Sequence, residues 1–234
     1  MSIIIPAVLP TSRAELDQTL ARLAPVEGIT TIQLDVVDGV FAEPASWPYA
    51  RQETWELPLI ERFRYEIDLM VQRPEEVLAR FITLGASRIT LHVESARSIA
   101  TIVTDFKRRY GHEAGFTSGL LSFGLAFSIG TDTAPYGACI KEVDYVQFMG
   151  IATIGKQDQP FDERVVQKIR RFRREYPSVP LQVDGAVSLL TVPKLLTAGV
   201  SRLVVGSALV RASDISAALA RFEALGERFG IYEH

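Results

Sequence analysis

Side chains able to do chemistry recur near the ends of short apolar runs in this 234-residue sequence. Gln33-Leu34-Asp35 ends one run, Asp68-Leu69-Met70 another and Val183-Asp184-Gly185 a third; His92 ends a fourth, and Gln147 and Met149 lie in a fifth. Side chains alternate along a strand, so Gln33 and Asp35 share one face, as do Asp68 and Met70. Strands that aim these faces at a common centre bring Asp35, Asp68 and Asp184 together. Three close carboxylates cannot all stay ionised without compensation, so either a cation sits among them or at least one is protonated. Carboxylates with an amide oxygen, here that of Gln33, make a hard ligand set suited to Mg²⁺ or Mn²⁺. Asp38-Gly39 reads as a turn. Taken singly, His92 reads as a core histidine with its hydrogen bonds satisfied, and Met70 and Met149 as core filler.

The elements that must position these residues alternate regularly. Strands are expected at 3–9, 30–35, 65–71, 88–93, 120–127, 144–151, 181–184 and 202–205. Each is followed by a helical pattern, among them 12–24 with Leu16, Leu20 and Leu23 at helical spacing, a short helix at 57–63, and 162–176, 188–198 and 214–228. Eight strand–helix units in one chain predict a single-domain (β/α)₈ TIM barrel over residues 1–234, near the usual length of about 250 residues. An internal echo supports closure: Gly85-Ala86-Ser87-Arg88-Ile89 and Gly199-Val200-Ser201-Arg202-Leu203 lie four units apart.

Chemistry in such a barrel sits at the C-terminal ends of the strands, with anions commonly held after strands 7 and 8. Gly185-Ala186 and Gly206-Ser207 fall there, and their small side chains let backbone N–H groups approach a phosphate. The stretch from Gly150 to Pro160 is expected to close over the same anion. The aromatic-rich stretch 40–57 is long for a loop between strand and helix; a lid and a contact between subunits are both open readings.

Composition narrows the classes. A net charge of −3 gives no footprint for nucleic acid, and Arg170, Arg171, Arg173 and Arg174 read as a solvated helix face. No apolar run approaches a membrane span, the first residues lack a signal-peptide pattern, and a lone cysteine suits a reducing compartment, so a cytoplasmic protein is expected. A homo-oligomer is left open.

Together these segments resemble the ribulose-phosphate 3-epimerases. The likeness rests on Leu34-Asp35-Val36-Val37-Asp38-Gly39-Val40-Phe41, on Asp68-Leu69-Met70 followed by Pro74-Glu75, on Thr90-Leu91-His92-Val93-Glu94, on Val183-Asp184-Gly185, and on Val205-Gly206-Ser207-Ala208. The resemblance implies proton transfer at C3 of a small phosphorylated ketose, with Asp35 and Asp184 as the acid/base pair and a divalent metal stabilising an enediolate. It implies that Met70, Met149, His92 and Gly150 border the substrate, and that Gly185, Ala186, Gly206 and Ser207 meet its phosphate. The chain departs from the family pattern where Gln33 and Asp68 replace the metal-binding histidines, where Ala7 replaces a serine, Val37 a methionine and Ala186 a glycine, and throughout the loop from Gly150 to Gln157. A ligand set of Gln33, Asp35, Asp68 and Asp184 is more anionic and harder, so Mg²⁺ or Mn²⁺ is expected over Zn²⁺, in a divergent bacterial branch. The alternative is a catalytically inactive sugar-phosphate-binding barrel. The related decarboxylases and hexulose-phosphate synthases would need a lysine where Val36 and Val37 stand, no lysine falls in an expected strand, and no G-x-S-x-G elbow appears.

Overall fold

The computed structural model describes residues 3–51, 53–110, 121–156 and 158–230. Among these, eight parallel strands close into a barrel in chain order: β1 Ile4–Val8, β2 Thr31–Val37, β3 Arg64–Met70, β4 Ala86–His92, β5 Ser122–Phe127, β6 Tyr145–Met149, β7 Leu181–Asp184 and β8 Arg202–Val205. Register closes the ring, with Ile4 opposite Leu203 and Pro6 opposite Val205. The (β/α)₈ barrel expected from the alternation is therefore the fold. The expected start of the fifth strand at Leu120, and Gln157 in the loop after the sixth, lie outside the described residues.

The helices are α1 Arg13–Leu23, α2 Leu78–Thr83, α3 Ile99–Tyr110, α4 Gly137–Ile140, α5 Arg164–Glu175, α6 Val192–Ala198, α7 Ser207–Val210 and α8 Ile215–Phe229. Helix α1 starts where Ser12 accepts a hydrogen bond from the Glu15 N–H, and it buries Leu16, Leu20 and Leu23 on one face. Helix α8 starts in the same way at Asp214. No helix is long and apolar enough to cross a membrane among the described residues.

Residues 57–63 form turns rather than the expected short helix. The apolar spacing of Leu57, Ile60 and Phe63 is helical, but Leu59 takes φ +53° and breaks the run. Arg62 then fastens the segment by donating to the carbonyls of Ala24, Val26 and Ile29. The aromatics upstream build core. Trp47 is fully buried and its backbone N–H donates to Pro10, while Trp55 packs between Tyr49 and Phe81.

The two faces of the sheet differ. Outward residues such as Leu34, Val36, Ile67, Leu69, Leu91, Val146, Phe148 and Val183 pack in the main apolar core. The interior is unusually polar: Gln33, Glu66, Asp68, Thr90, His92, Gln147 and Gln182 are all at most 1% exposed. Barrel interiors are ordinarily filled by branched aliphatic residues, so this lining has to be satisfied by its own hydrogen bonds.

The internal echo has a structural meaning. Gly85 and Gly199 take φ +99° and +108°, where a side chain would be strained. Ser87 and Ser201 each donate a hydroxyl to the preceding strand, to Tyr65 O and Leu181 O. Arg88 and Arg202 then both reach Glu66, at the N-terminal end of the barrel interior. Arg88 also covers the Tyr145 ring at 3.7 Å, and the Tyr145 hydroxyl meets Thr90 at 2.7 Å. Gly124 makes room, since a Cβ there would lie 2.3 Å from that ring.

Candidate active site

Strands β2 and β3 run in register with Asp35 opposite Asp68, and β6 and β7 with Met149 opposite Asp184. Inward alternation and this register bring Asp35, Asp68 and Asp184 together, each offering an oxygen within 4.8 Å of the others. A cavity of about 100 Å³ opens above them. Asp35, Asp184, Met70 and Met149 form its floor, and Gly185, Ala186, Gly206 and Ser207 line one side. Asp68 and His92 are fully buried beneath it and do not border it. Gly150 acts through its backbone: its N–H donates to Asp184 O at 2.6 Å, and a Cβ there would collide with Gly185 O. Asp38 is the expected turn former, accepting from the N–H groups of Val40 and Phe41.

One amide organises the acids. Gln33 Nε2 donates to Asp35 at 2.9 Å and to Asp184 at 2.8 Å. Its oxygen, expected to face a cation, instead accepts from Gln182 Nε2 at 3.1 Å. Gln147 is arranged likewise, donating to Asp68 Oδ2 at 2.9 Å and accepting from Gln182 at 2.8 Å.

His92 Nε2 lies 3.2 Å from Asp68 Oδ1, too poorly aligned for a hydrogen bond; among the described residues both ring nitrogens and that oxygen lack a hydrogen-bond partner. The expected satisfied core histidine is thus buried, its ring tilted at 55° to the Phe41 ring with centroids 5.7 Å apart, and it faces Asp68 without an aligned hydrogen bond.

Electrostatics follow from this crowding. Burial, followed by the charges of Asp184 and Asp68, holds the Asp35 carboxyl well above the usual carboxylate range, against the Gln33 hydrogen bond. Burial and then the Asp68 charge push Asp184 up to about 7. Burial lowers the His92 imidazole, but the neighbouring carboxylates, Asp68 first, outweigh it and leave the group above its ordinary value. A clustered trio of buried carboxylates, one Asp68 oxygen facing only the His92 ring without an aligned hydrogen bond, offers oxygen donors that fit a hard divalent cation.

The stretch from Gly150 to Pro160, expected to close over the anion, does reach the cavity, but through Lys156, Asp158 and Gln159, none of which sequence reasoning named as a site residue. Asp158 takes φ +60° and accepts from Arg211 at 2.7 Å and from Ser207, so a carboxylate of the chain sits beside the small-residue turns. No periodicity tells which side chains of such a loop face the cavity. Gln182 was findable, because it lies two residues before Asp184 and so shares its inward face.

A closed parallel barrel with acidic side chains gathered at its C-terminal mouth is a (β/α)₈ barrel of the enzyme type. The chain matches the model of the ribulose-phosphate 3 epimerase family over residues 3–210, and it belongs to that family. It is similar to the ribulose-phosphate 3-epimerase of Aquifex aeolicus, 26% identical over 204 residues and covering 85% of each chain. The ribulose-phosphate 3-epimerase of Schizosaccharomyces pombe is also 26% identical, over 212 residues, covering 90% of this chain and 88% of that one. Among solved structures, KGPDC from Streptococcus mutans shares the fold with a TM-score of 0.68 at 10% identity, covering 97% of each chain.

Proposed function

We propose that the chain inverts C3 of a small phosphorylated ketose by proton transfer between two aspartates. The observation that carries this reading is that Asp35 and Asp184 open on one cavity and share one amide donor. One carboxylate takes the proton from C3, and the C–H electron pair forms the C2–C3 double bond of an enediolate. The other, as the carboxylic acid, returns a proton to the opposite face, and the double bond closes back to the ketone. The pair must hold one proton between them. Without a cation, burial and crowding raise both carboxyls, Asp184 to about 7, which favours one shared proton at ordinary pH; a cation on the same oxygens would lower both.

A divalent cation held by Asp35, Asp68 and Asp184, Mg²⁺ or Mn²⁺ in preference to Zn²⁺, would supply positive charge beside the oxygens flanking C3. Met70 and Met149 exclude water around the reacting carbon. Gly185, Ala186, Gly206 and Ser207 receive the phosphate through backbone N–H groups and the serine hydroxyl. His92 lies behind Asp68 and bears on that carboxylate rather than on substrate.

The test is solvent deuterium. Incubation with pentulose and hexulose phosphates in D₂O, with Mg²⁺, Mn²⁺ or Zn²⁺ supplied in turn, should place deuterium at C3. Absence of label across the panel would replace this reading with that of a binding barrel without turnover.

A further inference from the structure

The hydrogen bonds inside the barrel run in one direction, and their origin is Arg202. A guanidinium only donates. Arg202 Nε donates to Gln182 Oε1 at 3.2 Å, so Gln182 must turn its NH₂ the other way. That NH₂ donates to Gln33 Oε1 and Gln147 Oε1. Both glutamines have therefore spent their oxygens and turn their own NH₂ groups to the acids: Gln33 to Asp35 and Asp184, Gln147 to Asp68. All three glutamines are fully buried, so no solvent is at hand to satisfy a flipped amide.

We propose that Gln182 is a positioning residue which, anchored by Arg202, forces Gln33 and Gln147 to act as N–H donors to the acid trio rather than as oxygen ligands of a cation. Gln33 then competes with a cation for Asp35 and Asp184, although it stands where the sequence puts a metal ligand. The inference rests on reading the trio as the reacting site.

An isosteric change reverses the relay. In Gln182→Glu the carboxylate still accepts from Arg202 but can only accept from Gln33 and Gln147. Both must turn their NH₂ groups to Glu and their oxygens to the acids. Mn²⁺ binding, read by titration calorimetry, should tighten about tenfold over wild type, the worth of roughly one hydrogen bond. The cation-free variant should melt at lower temperature than wild type and regain that loss with Mn²⁺. Gln182→Met, which breaks the relay without imposing the flip, should fall short of the Glu variant in Mn²⁺ affinity. Equal or weaker Mn²⁺ binding by a folded Gln182→Glu protein overturns the proposal.

A measurement on the wild-type protein decides the same point without any variant. Nuclear Overhauser contacts from the Gln33 side-chain amide protons to the β-protons of Asp35 and Asp184 support the relay, and contacts to the Gln182 γ-protons overturn it. Solvent-deuterium exchange judges the epimerase reading separately: a protein that exchanges nothing but gains Mn²⁺ affinity in Gln182→Glu keeps the relay and loses the reaction.

Discussion

Asp35 and Asp184 share one side-chain donor: Gln33 Nε2 bridges them at 2.9 and 2.8 Å, the Gly185 backbone N–H adds a bond to Asp184 alone, and no lysine or arginine pairs with either carboxylate among the described residues. Neutral amide donors do not neutralise two buried acids. The site is therefore expected to be held at a cost to stability, and that cost should depend on pH.

The sign follows from the direction of the shifts. The folded-state pKa of Asp184 is raised to about 7 and that of Asp35 is raised well above the carboxylate range. A raised carboxylate contributes stability that is present below its unfolded value, near 4, and is lost as pH rises through the folded value. His92, also raised, acts in the same sense above its own ordinary value. The metal-free protein should thus melt at lower temperature at pH 8 than at pH 5.5. Asp184→Asn should flatten that slope and raise the pH 8 melting temperature by on the order of 5 °C, while abolishing C3 exchange. An unchanged slope in the variant would count against the shared-proton picture.

Removing cations should have a graded effect. Dialysis against a chelator is expected to lower C3 exchange by on the order of tenfold or more, a loss of local charge stabilisation. Mg²⁺ or Mn²⁺ should restore it better than Zn²⁺, because the trio offers only carboxylate oxygens. Tight Zn²⁺ binding with no response to Mn²⁺ would contradict this.

Asp158 places a negative charge where an anion is expected to dock, and its partners Ser207 and Arg211 are suited to that anion. Asp158→Asn should tighten binding of inorganic phosphate, measured by calorimetry, by about threefold to tenfold at low salt, with the gain shrinking as salt is raised. Unchanged or weaker phosphate binding would show that the carboxylate does not oppose the ligand.

Packing makes an independent prediction at the other end of the interior. Gly124→Ala puts a methyl into the Tyr145 ring, whose hydroxyl is tied to Thr90 and whose face carries Arg88. Overpacking of this kind costs about 1–3 kcal/mol. Urea unfolding should show that loss, and a neutral result would mean that the ring shifts freely.

The barrel was legible because short β-rich apolar runs and helical patterns alternate along the chain, and the acids were legible because Gln33, Asp35 and Asp68 fall on inward strand faces. What could not be read depends on contacts far apart in sequence. The run at 57–63 has helical spacing, yet the positive φ at Leu59 leaves Leu59 and Ile60 about half exposed. The orientation of the Gln33 amide is set by Gln182, 149 residues away, and so cannot follow from residue type. Trp47 suggested a lid by composition, but full burial makes it part of the foundation.

Glu66 draws one arginine from the neighbouring strand β4 and another from β8, which follows it by most of the chain. Burying such a charged trio adds little net stability over an apolar filling. Its expected worth lies in specifying assembly: an open sheet leaves Glu66 with Arg88 alone and Arg202 without a carboxylate, and joining the first and last strands returns Arg202 to Glu66. The two halves of the chain are unequal in this respect. The first carries both the acid and one arginine, the second only an arginine, so a second half made alone would lack the counter-charge that its own interior requires.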